Sequence, residues 1–316
     1  MKNFTSVNSI EKINEELSLA LKIKKNPLTF KEHGTHKTLG LIFLNPSLRT
    51  RLSSQKAAMN LGMNVIVMNL NQDGWSIELE DGSVMNHTSQ EHIKEAAGVI
   101  SQYCDIIGIR TFASLNDKEG DYNETVLNKF IKHAKSPVIS LESATLHPLQ
   151  SFADLITIEE HKKTAKPKVV LTWAPHPKAL PQAVANSFSE WINKTNVEFV
   201  ITNPKGFDLA PEFTKNATVT HVQEEALKGA DFVYAKNWSS FDDYGKIGTD
   251  LEHWIIDDSK MELTNDGKFM HCLPVRRNVV VSDNVIDSKN SLVLEQANNR
   301  TYAAQTVLLN MLKKLN

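Results

Sequence analysis

The chain has 316 residues, more than one ordinary hydrophobic core supports, so two packed domains are the first expectation. Hydrophobic residues make up 41% and charged residues 23%, the balance of a soluble globular protein, and a net charge of −2 excludes an overall polyanion-binding surface. The polar first 25 residues do not read as a signal peptide, no apolar run reaches membrane-spanning length, and two cysteines, Cys104 and Cys272, suit a reducing compartment. Neither nucleic acid nor membrane is therefore expected as a partner, and the cytoplasm is the expected location.

The first half alternates apolar runs with amphipathic stretches. Lys37 to Leu44 reads as a buried strand, followed by a loop and a helix from about Thr50 to Leu61. Met63 to Leu70 is strand-like, and His92 to Tyr103 is an amphipathic helix leading into the strand Cys104 to Arg110. A helix over Tyr122 to Ala134 precedes the strand Pro137 to Leu141. The pattern then restarts. Ser151 to Lys163 is helical, residues 164–167 form a polar break, and strands follow at Lys168 to Trp173, Val197 to Thr202, Asp231 to Ala235 and Lys268 to Cys272. Helices are predicted over Pro181 to Trp191, His221 to Lys228 and Asn299 to Leu315. Such alternation argues an α/β fold of two parallel-sheet domains, joined near residues 142–150.

Lysine and arginine total 35, yet only six are arginines: Arg49, Arg51, Arg110, Arg276, Arg277 and Arg300. In so lysine-rich a chain, arginine is expected where a permanently charged fork must grip an oxyanion or lock a buried ion pair. No GxGxxG follows a predicted strand, and no HExxH, EF-hand, nucleophile elbow or Walker sequence occurs. Neither a cofactor nor a metal is therefore expected.

Residues 45–51, Asn-Pro-Ser-Leu-Arg-Thr-Arg, lie between a strand and a helix. A helix start presents unpaired N–H groups and a partial positive charge, to which Ser47, Arg49 and Thr50 would add donors. The competing reading is an ordinary capped helix start. His147-Pro148-Leu149-Gln150 falls at the expected junction of the domains, and His271-Cys272-Leu273-Pro274 follows the last strong strand. Each alone is more often structural; the three in this order on a two-domain α/β background are a different matter.

With these segments the chain resembles the transcarbamylase family, essentially end to end. Ser-x-Arg-Thr-Arg and His-Pro-x-x-Gln are general to that family, and His-Cys-Leu-Pro marks its ornithine side. The resemblance implies a carbamoyl-phosphate-binding domain over residues 1–145 plus 298–316, an acylornithine-binding domain over 146–297, a C-terminal helix returning to the first domain, and a homotrimer with shared active sites. It implies that Ser47, Leu48, Arg49 and Thr50 hold the phosphate of carbamoyl phosphate, with Arg110, His147 and Thr50 directed at the carbonyl oxygen. Gln150 and the Cys272–Leu273 backbone would hold the carbamoyl nitrogen, and Arg300, opening the last helix, would be a further contact. By the same resemblance Cys272 is expected to position the amine and not to act as a nucleophile, while domain closure excludes water.

The departures point to a branch. Ordinary ornithine enzymes carry a Ser-Met-Gly segment that meets the free α-amine, and this chain has none. The corresponding stretch, residues 231–238, contains Lys236, which suits a carboxylate and repels an ammonium. The branch resembled acts on ornithine acylated at its α-nitrogen. Trp75 resembles that branch's tryptophan, which reaches into a neighbouring subunit's site. Glu142, His176, Lys236, Leu273 and Gln90 are then the expected acylornithine contacts. Gln90 falls where acetylornithine enzymes tend to place glutamate and succinylornithine enzymes proline. A neutral amide there avoids repelling a succinyl carboxylate, so N-succinyl-L-ornithine is the expected acceptor. The alternatives are N-acetylornithine, ordinary ornithine, or a non-catalytic anion-binding homologue.

Overall fold

The computed structural model describes residues 2–315, which divide into two compact units, residues 2–149 with 300–315, and residues 150–299. Strands are numbered β1 to β11 in chain order, and helices are given by their residues.

The first unit is built on a parallel sheet of order β2-β1-β5-β6, from β1 (Thr38–Phe43), β2 (Asn64–Asn69), β5 (Ile106–Arg110) and β6 (Val138–Glu142). β5 and β6 are buried along their whole length. That explains why, before the terminal Arg110 and Glu142, they carry only Ser140 as a polar side chain: a parallel strand covered on both faces has no polar side to alternate. Gly108 in β5 has a packing reason, since a Cβ there would lie 3.0 Å from Leu41 and Leu141 side-chain carbons on the strands either side. The apolar cluster around Ile107, Ile109, Leu127 and Phe130 joins this sheet to the helices Ile93–Tyr103 and Thr125–His133. A separate parallel ribbon pairs β3 (Ile77–Glu78) with β4 (Glu91–His92).

The second unit carries a parallel sheet of order β11-β10-β7-β8-β9. Its strands are β7 (Lys168–Trp173), β8 (Glu198–Thr202), β9 (Thr218–Thr220), β10 (Phe232–Lys236) and β11 (Lys268–Met270). Val170, Val233, Phe269 and Val281 lie in one core cluster of this unit. The helix Ala183–Ile192 is almost wholly buried, taking Asn186, Ser187 and Ser189 inside with its apolar residues.

Two chain segments run between the units: the helix Pro148–His161 and the helix Val293–Leu315. The second corrects the sequence reading, which opened this helix at Asn299 with Arg300 in its first turn. The helix opens at Val293, and Arg300 lies about two turns inside it.

In both units the candidate residues fall at the carboxyl ends of adjacent strands. In the first unit, β1 ends before the 45–48 loop, β5 ends on Arg110, and β6 ends on Glu142. In the second, β7 ends before His176, β10 ends on Lys236, and β11 ends before His271. Parallel sheets bind ligands at that end, because there the loops and helix starts converge. Among the described residues, no helix is long and apolar enough to cross a membrane.

Candidate active site

In the first unit the helix Arg49–Asn60 starts on Leu48, whose side chain makes no capping bond. The first N–H groups of the helix therefore receive nothing from their own N-cap side chain, the arrangement in which a helix start suits an anion. Ser47 and Arg49 are half-buried there, Leu48 is exposed and Thr50 is fully buried. Arg300 Nη2 donates to Thr50 Oγ1 at 2.6 Å, so the C-terminal helix fixes the hydroxyl that follows Arg49.

Arg110 binds this loop to the end of the sheet. Its Nη1 donates to the carbonyls of Asn45 (3.3 Å) and Pro46 (3.0 Å), while Nε and Nη2 both donate to Glu142 Oε2, at 3.1 and 2.8 Å. The guanidinium also stands over the Phe112 ring, 4.7 Å from its centre. His147 Nε2 is 3.6 Å from the same Glu142 oxygen. Burial alone would raise the Glu142 carboxyl, but His147, Arg110 and Arg300 outweigh it and hold the group below its ordinary value. Glu142 is thus ionised and ties together Arg110 and His147, two of the three residues read as carbonyl-directed.

Trp75 and Gln90 are brought together elsewhere in this unit, on the β3–β4 ribbon. The Trp75 indole N–H donates to Glu91 Oε2 at 2.8 Å, and the Gln90 backbone N–H donates to the Ser76 carbonyl at 3.1 Å. Trp75 is half-exposed and Gln90 exposed.

In the second unit Gln150 Nε2 donates to Asp154 Oδ1 at 2.7 Å, one helical turn on. Gln296 Nε2 donates to the same oxygen at 2.7 Å, while its Oε1 accepts from the His271 backbone N–H at 2.9 Å. One buried carboxylate therefore anchors both Gln150 and the start of the 271–274 loop. Within that loop the Leu273 N–H donates to His271 Nδ1 at 2.9 Å, with Leu273 in the left-handed region at φ 54°. The fully buried Tyr234 hydroxyl lies in the neighbourhood of Asp154 and Cys272. Burial first, and then those two groups, push it well above the usual phenol range. Cys272 is a half-buried thiol outside any disulfide.

A cationic group lies at the other strand ends of this unit. Arg276 Nε donates to His176 Nε2 at 3.2 Å, and Lys236 is nearly buried. Burial, followed by the charges of Lys236 and Arg276, depresses the His176 imidazole below its ordinary value, so His176 is neutral at physiological pH. Two residues to which the sequence assigns no role emerge here, Asp154 and Arg276. Asp154 stands four residues after Gln150 on a helix, a spacing that could have exposed it. Arg276 was among the six arginines but carried no assigned role.

These groups present fixed donors of the kind that suit an oxyanion, with no nucleophile–base pair among them, which is the equipment of a group-transfer enzyme. Residues 2–160 match the family described as aspartate/ornithine carbamoyltransferase, carbamoyl-P binding domain, and residues 181–311 match its Asp/Orn binding domain. The chain belongs to the aspartate/ornithine carbamoyltransferase family. It is 54% identical, over 100% of both chains, to the N-succinylornithine carbamoyltransferase of Bacteroides fragilis. Against the N-acetylornithine carbamoyltransferase of Xanthomonas campestris it is 36% identical over 92% of this chain and 91% of that one. A crystal structure of a mutant N-acetyl-L-ornithine transcarbamylase, complexed with carbamyl phosphate and N-succinyl-L-norvaline, superposes with a TM-score of 0.92 at 34% identity, covering 98% of this chain and all of that one.

Proposed function

We propose that the chain transfers the carbamoyl group of carbamoyl phosphate to the side-chain amine of N-succinyl-L-ornithine, giving N-succinyl-L-citrulline and phosphate in arginine biosynthesis. The observation that carries this reading is the full-length, 54% kinship with an N-succinylornithine carbamoyltransferase. The first unit is the carbamoyl-phosphate-binding domain in this reading and the second the acylornithine-binding domain.

The phosphate is held by the start of the helix Arg49–Asn60 with Ser47, Leu48, Arg49 and Thr50, and by Trp75. Arg300 acts by fixing Thr50, the bond the structure contains. As the neutral amine attacks, the new N–C bond forms while negative charge grows on the carbonyl oxygen. Arg110, His147 and Thr50 are the donors set for that charge, and donors matched to the transition state raise rate more than those that grip substrate. Gln150 and the Cys272–Leu273 backbone receive the carbamoyl nitrogen. The C–O bond to phosphate then breaks, its electron pair leaves with the phosphate, and the phosphate takes the proton that the amine sheds. No covalent enzyme intermediate is formed, so Cys272 positions and does not attack.

Glu142 would accept from the incoming amine through Oε1, its Oε2 already bearing Arg110. Lys236, with Arg276 on His176, supplies positive charge for an acceptor that carries two carboxylates and no free α-ammonium. Leu273 lines the same acceptor, and Gln90 faces the acyl tip, where it avoids the repulsion that a glutamate would exert on the succinyl carboxylate. Sites completed by Trp75 from a neighbouring subunit would make the enzyme a homotrimer. Neither cysteine is in a disulfide, which suits the cytoplasm.

The experiment is direct. The purified protein, given carbamoyl phosphate with N-succinyl-L-ornithine, N-acetyl-L-ornithine or ornithine, should release phosphate fastest with the first, and mass spectrometry should identify N-succinyl-L-citrulline. Phosphate release without a ureido product would overturn the reading.

A further inference from the structure

Glu124 precedes the helix Thr125–His133 with its backbone in the left-handed region, φ 50° and ψ 40°. A residue with a side chain seldom adopts that conformation, and one that does is held there by its surroundings. Here the carboxylate grips three consecutive residues of the turn after β6. Oε1 accepts from Ser143 Oγ at 2.6 Å, from the Thr145 N–H at 2.8 Å and from Thr145 Oγ1. Oε2 accepts from the Ala144 N–H at 3.2 Å. The turn is closed on itself by the Ser143 N–H donating to the Leu146 carbonyl at 2.8 Å. On one side of it stands Glu142, which carries Arg110, and on the other stands His147.

We propose that Glu124 is a positioning residue for carbamoyl transfer: its carboxylate fixes the 143–145 turn and thereby the aim of Glu142, His147 and, through Glu142, Arg110. The inference rests on the reading that Arg110 and His147 face the carbamoyl carbonyl, and it adds a residue that touches neither substrate. A turn held by four bonds to one carboxylate has its flanking side chains set to within a narrow range. A misplacement of about 1 Å in such a group costs on the order of a hundredfold in rate. The left-handed backbone at Glu124 is the strain accepted to bring that carboxylate onto the turn.

The strain supplies the test. Glycine adopts φ 50° freely, so Glu124→Gly relieves the backbone while removing the carboxylate, and it should unfold at a temperature no lower than Glu124→Ala. Its kcat per active site, titrated with a tight-binding bisubstrate phosphonate, should fall about ten- to hundredfold with the carbamoyl phosphate KM changed less than about threefold. Glu124→Gln keeps the Oε1 acceptor and should recover to within about fivefold of wild type. Asp121→Asn is the control. Asp121 clamps a different turn, accepting from the Ser114 and Leu115 N–H groups at 2.9 Å, and its loss should leave kcat unchanged. The inference fails if Glu124→Gly keeps wild-type kcat, if it fails to fold, or if Asp121→Asn loses as much kcat. His147→Ala separates the two levels. A loss there beside an unimpaired Glu124→Gly overturns the clamp alone, whereas full activity in His147→Ala overturns the reading beneath it.

Discussion

Gln150 Nε2 donates to Asp154 Oδ1 at 2.7 Å, and this bond fixes which way the glutamine amide faces. With the nitrogen turned to the carboxylate, the amide oxygen is the end directed away from Asp154, and an oxygen is what a carbamoyl –NH2 requires. Asp154→Asn replaces an acceptor-only group by one with an amide nitrogen and disturbs Gln150 and Gln296 together. We expect kcat/KM for carbamoyl phosphate to fall at least about tenfold, with stability lowered by about 1–3 kcal/mol for the disrupted buried network. Steady-state kinetics and urea unfolding of this variant check both. An unchanged kcat/KM would remove Gln150 from the site.

Glu142 gives a prediction in pH. Its carboxyl lies below the ordinary glutamate value of 4.5, because His147, Arg110 and Arg300 outweigh burial. A depressed carboxylate contributes stability that is complete above the unfolded value and lost as pH falls through the folded one. Glu142→Gln should therefore cost about 3–5 kcal/mol at pH 7, where it leaves Arg110 buried without its counter-charge. The gap from wild type should narrow steadily below pH 4.5. Urea unfolding of both proteins across that range gives the difference directly; a gap that is constant with pH would contradict the ionised pair.

Arg49 is the half-buried cation at the start of its helix. Arg49→Ala should remove a charge-assisted contact to phosphate of about 1.5–3 kcal/mol, or about ten- to hundredfold in carbamoyl phosphate affinity. Calorimetry finding equal affinity in the two proteins would displace the phosphate from this loop.

Trp75 is half-exposed on the β3–β4 ribbon, held by Glu91. If it completes a neighbouring subunit's site, Trp75→Ala and His147→Ala proteins, each impaired alone, should regain activity when mixed and allowed to exchange subunits. Recovery of the activity of intact sites in the mixed oligomer supports sharing. No recovery despite demonstrated exchange confines Trp75 to its own chain.

Much of the fold is legible in the sequence because parallel strands buried on both faces write themselves as apolar runs. Lys37 to Leu44 and Lys168 to Trp173 correspond to β1 and β7 to within a residue at each end. What escaped was what packing decides. The helix Ile13–Lys25 buries only Leu17, Ala20 and Ile23 among many lysines and glutamates, too thin a stripe to stand out. β9 is a short edge strand with exposed or half-exposed residues, so its sequence carries no core signal. The last helix begins six residues before its predicted start because Val293 to Asn298 continue the same turn pattern with fewer apolar positions. The site shows the same division. Motifs single out Ser47–Thr50, His147–Gln150 and His271–Leu273, which are contiguous in sequence. The bonds that aim them join residues far apart in the chain: Arg110 with Glu142, Arg300 with Thr50, and Gln296 with Asp154. No local spacing encodes such pairs. The arginine count shows the limit from the other side. Arg277, one of the six, pairs with Asp283 and Asp287 at the surface, and those exposed ion pairs explain its presence without a substrate.

The acceptor is the claim on which the functional reading turns, and competition measures it in one vessel. Equimolar N-succinyl-L-ornithine and N-acetyl-L-ornithine, with limiting carbamoyl phosphate and wild-type enzyme, yield two citrullines whose early ratio equals the ratio of kcat/KM values. We expect N-succinyl-L-citrulline in excess by at least about tenfold. We further expect Gln90→Glu to move the ratio toward the acetyl product by one or more orders of magnitude, since two like charges about 4 Å apart cost about 4 kcal/mol at an effective dielectric of 20. A wild-type mixture dominated by N-acetyl-L-citrulline would contradict the succinyl assignment.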